Sequence, residues 1–379
     1  MSSQTVAVVG VGAMGSMSLW QLARRGYKVT GFDRMGVPHD TSAHGAESRI
    51  FRLAYKEGAE YIPLLKHSLA LWRELQSASD RQFHYPIGCL YIGERGAEWL
   101  NGTLEGARQH QVRHEVLDEQ ALRARFPQHR LNGGEFALLD LDGGLLRPEL
   151  AVRAAVKAAL AAGATLHQGC EVTRIHPHGD GVDITYDGNT QRFDRVVVAG
   201  GAWGTRMIDV PSPRFIARRL VGTWFAVDRT EDYLPAHFPV CIRRTPETEY
   251  SGFPCMDGWT VKIMPPVNYL SNIDPSTVDR TVAYADTAIM RRVARTLLHG
   301  MDPEPVRSGV FLDGFTADDR PLIDYHPETE RIVIAAGFSG HGFKMCPAVG
   351  SAVADLIDGG GDPYVRRYFS LNSVFRQGF

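Results

Sequence analysis

Residues 5–9, TVAVV, form an unbroken apolar run rich in β-branched side chains, the pattern of a strand buried on both faces. Glycines follow at Gly10, Gly12 and Gly15. Met17, Leu19, Trp20 and Leu22 then fall on the apolar side of a helix predicted over 16–25. Gly26 stops that helix, and 27–32 reads as a second strand closing at Asp33. Strand, helix and strand within about thirty residues make one βαβ unit.

Helical spacing returns at 61–75, where Leu64, Leu65, Leu69, Trp72 and Leu75 recur, and again at 150–160, 287–298 and 347–357. Short strands are predicted at 165–167, 170–175, 181–186, 193–199 and 331–335, and the last two run into GGAW at 200–203 and GFSGHG at 337–342. The stretch 216–314 is expected to mix short strands with proline-rich turns. Nucleotide-type signals thus sit at the start, middle and end of the chain. The expected fold is α/β: a discontinuous Rossmann-type dinucleotide-binding domain from 1–85, 150–215 and 315–379, interleaved with an α+β, sheet-containing substrate domain from 86–149 and 216–314.

Composition narrows the function classes. With 379 residues, 44% hydrophobic and 22% charged, the chain can bury a sizeable core. A formal net charge of -2 gives no electrostatic reason to expect nucleic acid or an anionic membrane as partner. Its five cysteines, Cys89, Cys170, Cys241, Cys255 and Cys346, show neither metal-ligand nor redox-pair spacing. The apolar run at the start is too short for a signal peptide, and no stretch approaches the ~20 apolar residues of a membrane helix. A cytoplasmic monomer with reduced thiols and no metal is the expectation.

Gly10-Val11-Gly12-Ala13-Met14-Gly15 satisfies G-x-G-x-x-G in the context that gives the motif meaning: strand before, helix after, acid at the end of the next strand. Gly10 allows the tight turn, Gly12 lets the backbone approach a pyrophosphate, and Gly15 lets the helix pack on the sheet. Ala13 and Met14 open the helix whose free N–H groups favour phosphate. Asp33 is placed to accept hydrogen bonds from a ribose diol; Arg34 beside it stacks near an adenine, favours a 2′-phosphate, or is a surface arginine. The motif alone leaves NAD, NADP and FAD open. The glycine turns at 200–203 and 337–342 favour FAD, because a second set of backbone donors suits negative charge on a reduced isoalloxazine.

With GVGAMG at 10–15, HGAESRIFRLAYKEG at 44–58, GAW at 201–203, YSGFP at 250–254, PLIDYHP at 321–327 and GFSGHGFK at 337–344, the sequence resembles the monomeric sarcosine oxidase and N-methyltryptophan oxidase family, within the D-amino-acid-oxidase-like flavoproteins. The likeness spans nearly the whole chain. It implies that FAD is contacted by the motif residues and by Val172, Gly201, Trp203, Gly340, His341, Gly342, Phe343 and Lys344. It also implies that Arg52 and Lys344 hold a substrate carboxylate, a task suited to a planar guanidinium fork and a second cation. Lys262 matches the lysine that promotes reaction with O2, and Arg49 and His44 match residues near the flavin ring.

Departures from the family pattern bear on cofactor and substrate. Relatives tether FAD through a cysteine whose place, on an ungapped match of 309–327, is taken by Phe311, so dissociable FAD is expected. Ser251 stands where the family has tyrosine, with Tyr250 one residue earlier. Pro266 replaces a histidine, Asp313 replaces a tyrosine, and Arg243 and Arg244 occupy a more apolar family segment. Tyr250, Ser251, Arg243 and Asp313 are therefore expected at the substrate. The function read from the sequence is oxidation of a small secondary or cyclic amino acid, not optimised for sarcosine. Hydride passes to the flavin, an imine forms, and O2 returns as H2O2. Rivals are a dehydrogenase using a quinone or carrier acceptor and a 2-hydroxy-acid oxidase on the same fold.

Overall fold

The computed structural model describes residues 4–207, 215–266 and 271–374. Thr5–Val9 lies inside a six-stranded sheet, with the parallel strands Lys28–Asp33 and Arg195–Val198 on either side. Thr165–Gln168 extends the sheet beyond the first and Thr329–Ala336 beyond the second, and antiparallel Leu322–His326 closes that edge. Alternation decides what covers each face. Val6 and Val8 point into a core shared with the helices Ala13–Arg24, Pro148–Ala161 and Cys346–Ile357. Ala7 and Val9 point the other way, into a core shared with the antiparallel strands Val172–His178, Gly181–Tyr186 and Asn189–Phe193.

A second, nine-stranded sheet carries much of the rest. Cys89–Glu94, Glu135–Asp140 and His114–Leu117 continue it from Val240–Arg244, which is followed in the other direction by Glu249–Phe253, Thr260–Met264, Ile216–Val227 and Ser271–Ile273. Contrary to the expectation of short strands, Ile216–Val227 runs 12 residues and pairs with Met301–Phe315, which runs 15. Pro303 and Pro305 had argued for turns there. They are accommodated because Met301–Phe315 lies on an edge, where one row of N–H groups need not donate to a neighbour.

One face of this sheet is sealed: Leu90, Ile92, Phe238, Cys241, Tyr250, Val261 and Ile263 pack with Met290, Val293 and Leu297 of the helix Ala288–Leu297. Its other face, carrying Ile242, Ser251, Phe253, Lys262 and Met264, lines a cavity that is completed by the glycine turns of the first sheet. The helix Ile62–Ser77 anchors the last of these turns, since Ser68 Oγ and Trp72 Nε1 both donate to the carbonyl of Lys344, at 2.7 and 2.9 Å. No described helix is long and apolar enough to cross a membrane.

Candidate active site

The cavity measures about 1260 Å³, above the usual range for a drug-sized ligand and roomy enough for an extended cofactor plus a substrate. At one end lie Gly10, Gly12, Ala13, Met14, Asp33, Arg34, Val172, Gly201 and Trp203. Gly10 has φ +85, and a Cβ there would stand 2.7 Å from the carbonyl oxygen of Ala199, so only glycine lets these two turns touch. Asp33 fixes the neighbouring loop by accepting from Val11 N at 2.8 Å and Met35 N at 2.9 Å. Each of its oxygens keeps a lone pair for another donor. Arg34 lies over the Trp203 ring at 5.0 Å. Gly15, also expected among the FAD contacts, does not line the cavity, which leaves it the packing role the sequence reading gave it. A Cβ there would fall 1.8 Å from Gly10 O, so its part is to let the helix approach the strand.

These residues fit a dinucleotide. Besides the glycine cradle, His44 Nε2 and Trp203 Nε1 are buried and lack hydrogen-bond partners among the described residues, which marks them as donors or acceptors awaiting a ligand. His44 sits close to the cradle, its Nδ1 3.4 Å from where a Cβ on Gly12 would be. Burial lowers its pKa to about 3, and the like charges of His39 and Arg49 add to the effect, so the ring is neutral at physiological pH.

The middle of the cavity gathers Arg49, Lys262, Phe311, Asp313 and the 337–344 loop. Lys262 Nζ donates to the carbonyls of Ala46 and Ser48 and lies 4.2 Å from the centre of the Phe253 ring. Burial, with the nearby charge of Arg49, lowers its pKa well below the ordinary lysine value. Asp313 accepts from Gly314 N at 2.8 Å and Gly340 N at 3.0 Å, anchoring the glycine loop. Burial raises its pKa to about 6. Phe311 packs with Ala46 and Trp224. Of the cysteines only Cys170 lines the cavity, and its N–H donates to Asp33 O at 2.9 Å, at the nucleotide end.

At the far end Arg52 and Lys344 converge on Tyr55. The Arg52 guanidinium lies 4.3 Å and the Lys344 nitrogen 5.5 Å from its ring centre. Arg52 donates to Glu57 at 2.7 Å and to the Tyr91 hydroxyl at 3.4 Å, while its buried Nε has no partner among the described residues. Burial opposes the Arg52 charge, but Glu57 more than compensates and holds the guanidinium firmly protonated. Lys344 donates to His341 O at 2.5 Å, and burial plus the Arg52 charge bring its pKa down to about 7. His341 is neutral, lowered to about 4 by burial. Its Nε2 faces Asp319 O at 2.9 Å and so carries the proton, which leaves Nδ1 to accept from the Tyr55 hydroxyl at 2.7 Å. Gly340, Gly342 and Phe343 line the same wall.

Ser251 lines the cavity, but its neighbours on the sheet do not all follow. Tyr250 and Arg243, both expected at the substrate, face the sealed side. Alternation along Glu249–Phe253 sends Tyr250 into the core, where its hydroxyl meets His129 Nδ1 at 3.3 Å. Arg243 is wholly buried and forms a fork with Glu135 at 3.0 and 2.7 Å, with further bonds to the carbonyls of Leu297 and Arg130. The cavity instead receives Ile242 and Arg244. The sequence reading also passed over Glu57, Tyr55, Tyr91 and Asp140. Asp140 accepts from Leu53 N and Ala54 N and so fixes the bend that presents Arg52. Glu57 and Tyr55 lay inside the segment 44–58 already singled out, so proximity to Arg52 was the available signal.

A nucleotide cradle facing a cationic pocket under a large sheet defines a flavin-dependent oxidoreductase, and the sequence agrees: the model of the FAD dependent oxidoreductase family matches residues 5–356, and the chain belongs to that family. Monomeric sarcosine oxidase of Bacillus sp. (strain B-0618) is 31% identical over 375 residues, covering 97% of this chain and 95% of its own. N-methyl-L-tryptophan oxidase of Citrobacter koseri is 29% identical over 373 residues, covering 96% and 97%. Among solved structures, NikD, described as an unusual amino acid oxidase essential for nikkomycin biosynthesis, superposes with a TM-score of 0.83 at 25% identity, covering 98% of each chain.

Proposed function

We propose that the protein oxidises the C–N bond of a small N-substituted or cyclic amino acid to an imine, holding FAD without a covalent bond and returning electrons to O2 as a monomer. The observation that carries this reading is the buried pair Arg52 and Lys344, convergent on Tyr55 and facing the sheet across a cavity that begins at the nucleotide cradle. The relatives named above, oxidases of sarcosine and of N-methyl-L-tryptophan, support the substrate class.

FAD, when bound, supplies the two-electron acceptor. The chain's own residues do the rest. Gly10, Gly12, Ala13 and Met14 receive the pyrophosphate, Asp33 a ribose, and the 337–344 loop the ring. Arg52 and Lys344 receive the α-carboxylate, with the unpartnered Nε of Arg52 as a further donor. That grip fixes which C–H faces the acceptor and leaves the amine nitrogen towards Ser251. Ile242, Phe253 and Phe343 give the surrounding wall an apolar surface that excludes water. Lys262 provides a cation on the roof, where it favours electron transfer to O2. With Phe311 at the place of the family's tethering cysteine, no cysteine thiol stands there to form a thioether, and Cys170 lies at the nucleotide end. The sheet-bearing segments 86–149 and 216–314 form the substrate domain in this reading.

The test is an anaerobic screen of N-alkyl and cyclic amino acids against FAD-loaded protein. Loss of the yellow flavin absorbance, with peroxide on admitting air, is the expected result. Bleaching by 2-hydroxy acids and by no amine overturns the reaction class.

A further inference from the structure

The substrate end of the cavity carries more positive charge than an α-carboxylate needs. Glu249 sits between two cations on the roof: Lys56 Nζ contacts its Oε1, and Arg244 Nε lies 3.6 Å from its Oε2. One carboxylate facing two cations leaves a surplus of one positive charge there. Arg244 makes no other ion pair or hydrogen bond among the described residues, so the two terminal nitrogens of its fork remain available. All three side chains line the same cavity as Arg52 and Lys344.

Strand register fixes the spacing. Ile242 pairs with Tyr91 on one side and Ser251 on the other, and Arg244 pairs with Glu249, so Arg244 lies two residues along the same sheet face. Two residues of strand span about 7 Å. Tyr91 marks the position of the clamp, because its hydroxyl touches Arg52 at 3.4 Å. The second cation is therefore rooted on the same sheet face, two residues along from the position beside the clamp.

We propose that Arg244, supported by Lys56, is an anion subsite for a second acidic group, and that the substrate is an N-substituted amino dicarboxylate. This rests on the amine-oxidation reading above and names the substrate class within it. A methyl or hydrogen at the side-chain position leaves the Arg244 fork in water; an aspartate- or glutamate-like side chain reaches it. Since Arg244 is half exposed, solvent screens the contact and the gain is modest, about tenfold in affinity.

Two matched pairs of ligands test this on the FAD-loaded protein. Calorimetry with pentanoate and glutarate, which differ by one carboxylate and are not oxidised, should show glutarate binding about tenfold more tightly. R244Q should bring that ratio close to one, and R244K should restore part of it. Equal binding by the wild type, or a ratio that survives in R244Q, overturns the proposal; the wild-type comparison decides alone should the variant not fold. Anaerobic reduction by N-methylnorvaline and N-methylglutamate separates the two readings. Bleaching by both without preference for the acidic one overturns the anion subsite and leaves amine oxidation standing. Bleaching by neither overturns amine oxidation, and the substrate named here with it.

Discussion

The amino group of Lys262 reaches from the roof sheet to the carbonyl of Ala46, 2.8 Å away, across a bend that the backbone would not choose unaided. Ala46 and Glu47 have φ of 74 and 68, a left-handed conformation costing about 1–2 kcal/mol per residue outside glycine. Glu47 secures the bend: its carboxylate accepts from Trp224 Nε1 and Arg307, each at 2.8 Å, and its N–H donates to Glu149 at 2.8 Å. Lys262→Met should slow reoxidation by air about 10²-fold while anaerobic reduction by substrate falls far less. Because the charged form of Lys262 is the useful one and its pKa is lowered, the wild-type oxygen reaction should weaken as pH rises through that value. Stopped-flow traces with equal losses on both half-reactions count against this role.

Lys344 makes carboxylate binding depend on pH. Its pKa is down at about 7, chiefly through burial, and a bound carboxylate supplies the missing counter-charge. Below that value the lysine is already charged and binding is tightest. Above it, each binding event must take up a proton, so affinity should fall by up to tenfold per pH unit. Calorimetry of a carboxylate inhibitor in buffers of different ionisation enthalpy measures the uptake directly, and Lys344→Met should abolish it.

Glu57 is the counter-ion that makes a buried Arg52 tolerable. Burial alone would raise the pKa of Glu57, and Arg52 more than reverses this, holding it well below the carboxylate range. A depressed native pKa contributes stability that is present above the unfolded value of about 4.3 and lost as pH falls beneath it. Glu57→Gln should cost about 3 kcal/mol, since it strands a buried guanidinium. Added carboxylate ligand should return part of that loss in thermal denaturation, because it replaces the missing charge.

The second and third glycines of the motif should fail differently. A valine at Gly12 projects into the cavity beside His44, so Gly12→Val should fold with near-native circular dichroism yet lose the flavin absorbance. An alanine at Gly15 collides with the Gly10 carbonyl, so Gly15→Ala should lower the melting temperature whether or not FAD is added. Identical phenotypes would contradict the separation drawn here between ligand contact and helix packing.

The proposal of non-covalent FAD makes a simple prediction. If the proposed placement of Phe311, packed with Ala46 and Trp224, at the tether position is right, acid precipitation of the purified protein should leave the yellow colour in the supernatant. A yellow pellet sinks the idea.

What could be read from the chain alone divides along physical lines. The βαβ unit was legible because one strand, one helix and an acid obey local rules, and Thr5–Val9, Ala13–Arg24 and Lys28–Asp33 all form. Arg52, Lys262 and Lys344 were legible through family likeness, and they line one cavity. Arg243 and Tyr250 were misplaced because a pocket was assigned by segment without asking which face of a strand each residue takes. Two-residue alternation along Val240–Arg244 and Glu249–Phe253 answers that question. Glu57 carries no periodic signal, and its meaning depends on a guanidinium five residues away being buried. The long strand Met301–Phe315 was hidden by Pro303 and Pro305, whose tolerance depends on an edge position that local sequence does not reveal.

The two adjacent arginines of Val240–Arg244 face opposite worlds, one locked on Glu135 in the interior and one on the cavity face. A single-residue deletion upstream in this strand would seat Arg244 in the slot of Arg243, against Glu135, and turn Arg243 to the cavity face at the place of Ile242. Glu135 therefore accepts either arginine, and what such a slide changes is where the cation stands on the cavity face, level with Ser251 instead of Glu249.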